Sequence, residues 1–333
     1  MRMITRTIPS WHQSLIDAFR NPQDLAEYLN IAPLDLGFNS VQNEDFPMLV
    51  PREFADRIEK GNPQDPLLLQ IMPSNRELET KEGYGEDPVG EAEATMAPGV
   101  MQKYHGRVLL VTTAACPIHC RYCFRRHFPY SDSLASGPNL DSAIKYIEAN
   151  REITEVILSG GDPLMLNNTT LKTVIKRLEQ IDHLQRLRIH SRMPIIVPSR
   201  IDLELTELLQ TSRFTSVLVI HCNHANELNQ SVNDALSAIS NAGIIILNQS
   251  VLLHGVNDDT ETLKLLSERL FSCGVLPYYL HMLDRVTGAM HFEVETTKAI
   301  AIHSQLQNSL PGYLIPKLVY EKAGAESKLP LLL

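Results

Sequence analysis

Cys116-Pro-Ile-His-Cys120-Arg-Tyr-Cys123-Phe-Arg125-Arg126 gathers three of the five cysteines into eight residues, spaced C-x3-C-x2-C. A closed zinc site or a fully ligated iron–sulfur cluster would take a fourth protein ligand. No further cysteine lies nearby, for the other two are Cys222 and Cys273. Three thiolates on a four-iron, four-sulfur cube leave one iron open to a small molecule. An open iron points to chemistry rather than scaffolding. The competing reading is zinc, with His119 or His127 as the fourth ligand.

Outward from this stretch the pattern becomes regular. Val108–Thr113 reads as a buried strand just before the cysteines. Apolar strands follow at Ile153–Leu158, Leu187–His190, Ser216–His221, Ile244–Gln249 and Pro277–Met282. Helical stretches separate them: Ser142–Ala149, Leu171–Gln180, Leu203–Leu209, Ala225–Ala242, Glu261–Phe271 and Thr297–Gln307. Short apolar strands alternating with helices indicate a parallel sheet with right-handed crossovers. Eight units would close a barrel. Six suggest an α/β fold with an open, partial (βα)6 barrel, the alternative being a doubly wound sheet. The expected division is a helical and irregular region over 1–100, a core over 101–310 and a C-terminal segment over 311–333. Within the first region, Trp11–Asn30 reads as one or two helices broken near Asn21-Pro22, and Arg52–Glu59 as another. Phe46–Val50 is a short apolar segment. The acidic stretch from Pro73 to Pro98, rich in Gly and Pro, reads as a loop or boundary.

In barrels, chemistry sits at the C-terminal ends of the strands. Here every strand end carries polar residues: the cysteines, then Ser159-Gly160-Gly161-Asp162-Pro-Leu164, Ser191-Arg192, His221-Cys-Asn-His224, Asn248-Gln249-Ser250 and Asp284. Taken singly these are weak signals. Glycines after a strand usually make a turn. His221 and Gln249 suit satisfied buried polar groups as well as ligand contacts. Cys222 and Cys273 read as inert buried thiols. Arg125 and Arg126 read as a solvated pair, or as a fork for a carboxylate. Lys328, by itself, reads as a solvated terminal lysine.

Bulk properties bound the rest. With 44% apolar and 21% charged residues, the 333-residue chain has the composition of a soluble globular enzyme. No apolar run approaches a membrane span. The stretch Met1–Trp11 lacks an apolar signal core, and the cysteines do not resemble a secreted disulfide framework, so a cytoplasmic location without membrane association is expected. A net charge of −9 argues against nucleic acid as a partner.

The cysteine spacing resembles the radical S-adenosylmethionine superfamily, in which the open iron chelates S-adenosylmethionine. From about Phe46 to Pro330 the chain further resembles the lysine 2,3-aminomutase family. The motifs that carry the likeness are Tyr104-His-Gly-Arg107, the cysteine segment through Arg126, Ser159–Leu164, His190–Pro194 with Pro198-Ser-Arg200, His221–Glu227, Asn248–Asn257, and Tyr278-Tyr279 through Asp284 to His291-Phe292. The resemblance implies that Cys116, Cys120 and Cys123 hold a [4Fe-4S] cluster. It places Lys328 as the lysine that joins pyridoxal phosphate in an aldimine, with Tyr104 and Arg107 near the cofactor phosphate. Ser159, Gly160, Gly161 and Asp162, with His221 and Gln249, would lie in the S-adenosylmethionine pocket. Arg125 would bind the substrate carboxylate, and Asp284 and Glu321 the distal amine of lysine. Two departures stand out. Glu321 is one methylene longer than the family's aspartate, and Ala-Gly-Ala-Glu-Ser precedes Lys328 in place of a glycine run.

What the resemblance implies is an isomerase that turns L-lysine into β-lysine by a 5′-deoxyadenosyl radical mechanism, fed by a reductant for the cluster. The compact form looks like the bacterial branch that makes β-lysine for elongation factor P, through a β-lysine ligase. A monomer or homodimer is expected. Three alternatives stay open: an aminomutase for arginine or glutamate, a radical enzyme with a decayed pyridoxal site, and a non-catalytic zinc-bound interaction module.

Overall fold

In the computed structural model, which describes residues 10–32 and 46–331, ten strands form one sheet whose spatial order follows the sequence. They are β1 (Thr95–Ala97), β2 (Val100–Met101), β3 (Arg107–Thr113), β4 (Glu155–Gly160), β5 (Arg186–Ser191), β6 (Thr215–Ile220), β7 (Ile245–Val251), β8 (Leu276–His281), β9 (Lys317–Tyr320) and β10 (Leu329–Pro330). Each strand from β4 to β9 runs parallel to its predecessor. A doubly wound sheet reverses its strand order at a switch point. This order never reverses, so that alternative is excluded and the sheet is the open, mostly parallel α/β arrangement that was expected. The six expected βα units are β3 to β8 with the helices after them. β9 is a seventh parallel strand. Antiparallel β1 and β2 extend one edge, and β10 returns along β9 at the other.

The helices following β3 to β8 are Pro138–Ala149, Asn168–Leu178, Leu203–Gln210, Gln230–Asn241, Thr260–Ser272 and Thr296–Ser309. Four start on a side chain that accepts the backbone N–H three residues on: Asn167 from Thr170, Asp202 from Leu205, Asn229 from Val232 and Asp259 from Thr262. These caps satisfy donors that the first turn leaves free. Each helix lays an apolar stripe on the sheet, as Gln230–Asn241 does with Val232, Ala235, Leu236 and Ile239.

Alternation along the strands decides what faces where. Val108 and Leu110, Val156 and Leu158, Leu187 and Ile189, Leu218 and Ile220, Leu280 and Leu318 all enter the core beneath the helices. With a period of two, the intervening side chains face the other way. They include Arg107, Ser159, Arg188, His190, Gln249, Tyr279 and His281, with His221 and Glu321 just past β6 and β9. The polar side chains of the sheet thus gather on the face opposite the helices, among apolar ones such as Val111, Ile157 and Val219.

The region before β1 packs into the same core, through Trp11, Phe54, Leu67 and Leu68 among others. Helices Ser10–Ile16 and Pro22–Tyr28 break at Asn21-Pro22 as expected, with the Asn21 side chain accepting from Gln23 N–H. The expected helix over 52–59 is a single turn, Arg52–Ala55. Instead of continuing, the chain turns so that the Arg57 guanidinium donates to the carbonyls of Glu227 and Ile196, at 2.6 and 3.2 Å. Two main-chain bonds brace the cysteine loop from this side, His119 N–H to Leu49 O and Arg121 N–H to Gln70 O. Residues 1–9, read above for a signal core, lie outside the described residues. No helix among those described is long and apolar enough to cross a membrane.

Candidate active site

The cysteine loop leaves β3 at its C-terminal end and lies against the loop after β4. Gly161 N–H donates to Thr113 O at 2.7 Å, and Asp162 N–H to Ala115 O at 2.8 Å. A Cβ on Gly161 would sit 2.4 Å from Ala115 O, and one on Gly160, at φ +126°, 2.5 Å from Thr113 O. The two glycines therefore let two backbones touch directly beneath the cysteines. Their carbonyls are not all free for a ligand, because Gly160 O accepts from Arg125 Nη1 and Tyr130 Oη, at 3.2 and 3.1 Å. Asp162 is a tie between strand ends. It accepts from Ser191 Oγ, Leu164 N, Arg192 N and Met193 N, all within 3.0 Å.

Burial, followed by the neighbouring Cys123 thiol, pushes Cys116 well above the ordinary thiol value, and burial lifts Cys123 to about 11. Thiols so raised stay protonated at neutral pH until a metal takes them as thiolates. The two histidines that a zinc reading needs each direct a ring nitrogen at a backbone carbonyl. His119 Nδ1 lies 2.7 Å from Pro47 O, and His127 Nε2 lies 3.3 Å from Thr287 O.

Neither arginine after the cysteines is solvated. Glu77 takes both Arg121 and Arg126 as partners. Arg126 adds Gly288 O at 3.0 Å and so belongs to the framework. Arg125 faces the polar side, already held. Its Nε and Nη2 grip both oxygens of Glu91 at 2.8 and 2.6 Å, and its Nη1 donates to Ser159 Oγ and Gly160 O at 3.0 and 3.2 Å. Four of a guanidinium's five N–H donors are thereby used. One N–H of Arg125 is left for a further acceptor, and a second only where Glu91, Ser159 or Gly160 gives one up.

Lys328 is pinned instead of fraying. Leu329 and Pro330 pair with β9, and Lys328 Nζ donates to Glu321 Oε1 at 2.8 Å. Tyr104 Oη donates to the same oxygen at 2.8 Å, and Lys103 Nζ stands 4.0 Å from the other. Burial alone would raise the Glu321 carboxyl, but Lys328 and Lys103 outweigh it and hold it down at about 2. Asp284 is the opposite case. Burial and then the charge on Glu321 push its carboxyl up to about 7, and among the described residues nothing hydrogen-bonds it. Two carboxylates thus share one corner, and among the described residues only Glu321 has cations within ion-pair reach. Arg107 stacks on Tyr104, 4.8 Å from the ring centroid, and has no ion-pair partner among the described residues. A cavity of about 240 Å³, lined by Gly90, Lys103, Tyr104 and Lys322, reaches Glu321 from outside.

On β6 and β7, Gln249 Nε2 lies 2.8 Å from His221 Nε2. Burial lowers His221 to about 3, so its ring is neutral and Nε2 can accept from the amide. Sequence reasoning missed His190 and His281 as site members. On the polar face His281 is buried and His190 half-buried, burial holds both well below the ordinary value, and each has a buried Nε2 without a partner among the described residues. Their signal was parity: His190 is two residues after Arg188, and His281 two after Tyr279. Glu91 had no such signal, since it lies in an irregular acidic stretch.

Residues 110–266 match the radical SAM superfamily. The chain is 45% identical to the L-lysine 2,3-aminomutase of Haemophilus influenzae, over 98% of this chain and 96% of that protein. It is 44% identical to the L-lysine 2,3-aminomutase of Escherichia coli, over 99% and 97%. With the enzyme of that name from Clostridium subterminale it shares 35% over 86% of this chain and 68% of that one. Among solved structures, the crystal structure of Streptococcus suis SuiB superposes with a TM-score of 0.50 at 12% identity, covering 66% of this chain and 50% of that chain. That likeness is one of fold.

Proposed function

We propose that this chain, which belongs to the L-lysine 2,3-aminomutase family of radical S-adenosylmethionine enzymes, moves the amino group of L-lysine from C2 to C3 and releases β-lysine. The observation that carries the substrate is the pairing of Asp284 and Glu321 in one corner, where Lys328 holds Glu321 directly, Lys103 stands farther off and nothing among the described residues hydrogen-bonds the Asp284 carboxyl. Once Lys328 is engaged by its cofactor, Lys103, 4.0 Å from Glu321, is the one ion-pair partner left to the two carboxylates among the described residues, and Asp284 has none. Two such groups repel, and a distal ammonium relieves them. Glutamate would bring a third negative charge to that corner.

The family's cofactors are a [4Fe-4S] cluster, S-adenosylmethionine and pyridoxal phosphate. The residues fit them. Cys116, Cys120 and Cys123 are soft donors on one loop, suited to iron. His221 and Gln249, with the unpartnered ring nitrogens of His190 and His281, offer polar contacts on the inner face for S-adenosylmethionine. Tyr104 and Arg107, which has no ion-pair partner among the described residues, would take the phosphate, and Lys328 the pyridoxal carbonyl. Together these groups supply the radical chemistry by which an amino group changes carbon. The protein's part is to orient and to exclude water. Arg125 positions the substrate carboxylate, Asp284 and Glu321 anchor the far end, and the span between them sets which carbons meet the cofactors.

The β-lysine would serve the modification of elongation factor P through a ligase, in the cytoplasm. This reading rests on the resemblance to the compact bacterial branch, with which the near full-length match to the Haemophilus influenzae and Escherichia coli relatives agrees. The test of the reaction is anaerobic assay of the reconstituted protein against lysine, arginine and glutamate, with products identified by mass spectrometry. Turnover of glutamate faster than lysine would refute the substrate. The test of the pathway is the mass of elongation factor P in a deletion strain; an unchanged modification would refute it.

A further inference from the structure

Among the described residues, Cys120 is the one cysteine of the three whose sulfur takes a hydrogen bond from a buried guanidinium. Arg192 Nη1 stands 2.7 Å from Cys120 Sγ. The guanidinium is aimed there by two partners from distant parts of the chain, its Nη2 donating to Gln70 Oε1 at 2.7 Å and Glu227 Oε2 at 3.0 Å. Gln70 and Glu227 are themselves joined at 3.2 Å. Asn223 closes the network by donating to Gln70 Oε1 and to Tyr122 Oη, at 3.0 and 2.7 Å. The Tyr122 hydroxyl lies beside Cys120, with its proton free to point toward the sulfur. Arg192, Gln70, Glu227, Asn223 and Tyr122 are all at least nine-tenths buried.

Two features separate this network from ordinary packing. First, a buried Arg–Glu pair is a weak source of stability, since desolvating both charges costs about as much as their attraction returns. Second, Arg192 leaves its own Nε unpartnered while Nη1 reaches the sulfur. The guanidinium is placed for Cys120 rather than for its own satisfaction.

Given the assignment of the three cysteines as cluster ligands, on which this rests, we infer that Arg192 is a positioning residue that raises the reduction potential of the cluster through Cys120, with Glu227 opposing it. Hydrogen bonds and positive charge at a ligating sulfur stabilise the more negative, reduced state. The Glu227 carboxylate beside Arg192 cancels part of that charge. The pair together sets how readily one electron from a reductant is accepted, with no protein bond made or broken.

The experiment is a dithionite titration of the anaerobically reconstituted full chain, followed by electron paramagnetic resonance, with iron and sulfide counted in every sample. Arg192→Met should lower the midpoint. The expected effect is about a tenfold loss in the reduced-to-oxidised ratio at the wild-type midpoint, which for one electron is about 59 mV. Tyr122→Phe should lower it by less, and Arg192→Lys should recover part of the loss. Glu227→Gln should move it upward, because the cation then stands uncompensated. Opposite signs for Arg192→Met and Glu227→Gln are what a merely structural role does not produce. The inference is overturned if Arg192→Met and Tyr122→Phe carry full iron at the wild-type midpoint, or if Arg192→Met and Glu227→Gln shift the same way. If Arg192→Met fails to hold iron, Tyr122→Phe and Arg192→Lys decide by the same criterion. Wild-type protein that binds no cluster at all would instead overturn the cysteine assignment itself.

Discussion

Replacing Asp284 by asparagine tests the substrate corner most directly. The carboxyl stands at about 7 against an ordinary 3.8, raised by burial and then by Glu321. Ionising it without a cation therefore costs on the order of 4 kcal/mol, less whatever solvent screens. A lysine ammonium reverses that balance, and the charge-assisted hydrogen bond it makes is worth about 1.5–3 kcal/mol. Asp284→Asn should accordingly raise the Michaelis constant for lysine roughly tenfold to a hundredfold, with a smaller effect on kcat. The pH profile carries the sign. Below about 7 Asp284 is protonated and no longer attracts an ammonium. The wild-type Michaelis constant should climb roughly tenfold per pH unit as pH falls below 7, and level off above it. Asp284→Asn should flatten the profile. Glu321→Gln removes a charge that raises Asp284, so it should move the bend to lower pH. Stability gives an independent check. An acid raised in the folded state is a cost fully felt above about 7 and absent below about 4, so the ligand-free Asp284→Asn protein should be more stable than wild type at pH 8 and not at pH 4. A wild-type Michaelis constant that is flat from pH 6 to 8, or an unaltered slope in Asp284→Asn, would refute the reasoning.

Alanine at Cys116, Cys120 or Cys123 should reduce iron content and abolish radical formation, whereas alanine at Cys222, whose thiol rests on His224 O at 3.4 Å, should do neither; full cluster occupancy with unchanged activity in Cys120→Ala would sink the assignment. Lys328→Ala should lose the covalently held pyridoxal while keeping its iron. Borohydride reduction and peptide mapping should label Lys328; labelling of the exposed Lys317 or Lys322 would show that the wrong lysine has been chosen. Gly161→Ala forces a Cβ to within 2.4 Å of Ala115 O, which should cost about 1–3 kcal/mol of stability in a chemical-denaturation curve and lower cluster retention. A variant that folds and binds iron like wild type would show that the two loops can part freely. Glu91→Ala leaves the Arg125 guanidinium buried and without its ion pair, a loss of about 3–5 kcal/mol; Glu91→Gln, which keeps the shape, should cost less. Equal unfolding free energies for the two would count against Glu91 as the holder of Arg125.

Much of this protein was legible in its sequence because its signals are local. Apolar runs and helical spacing announce βα units, and polar residues just past each strand mark the functional end of the sheet. Three cysteines in eight residues point to an open iron, with zinc as the competing reading, without help from the fold. β9 was missed because Lys317–Tyr320 is four residues between a proline-rich turn and the C-terminal loop, too short for any periodicity to show. What the tertiary structure alone decided is which charges meet. Glu77 and Glu91 sit in a stretch that reads as loop, yet they hold Arg121, Arg126 and Arg125. Lys328 reads as a solvated terminal lysine until β10 pairs with β9 and sets it against Glu321. Cys120 gains its arginine only because β5 ends beside the cysteine loop. Ion pairs and hydrogen bonds act over a few ångströms between residues up to 217 apart in sequence, as Tyr104 and Glu321 are. Their partners are chosen by how the chain folds back, and periodicity and spacing carry no record of that choice.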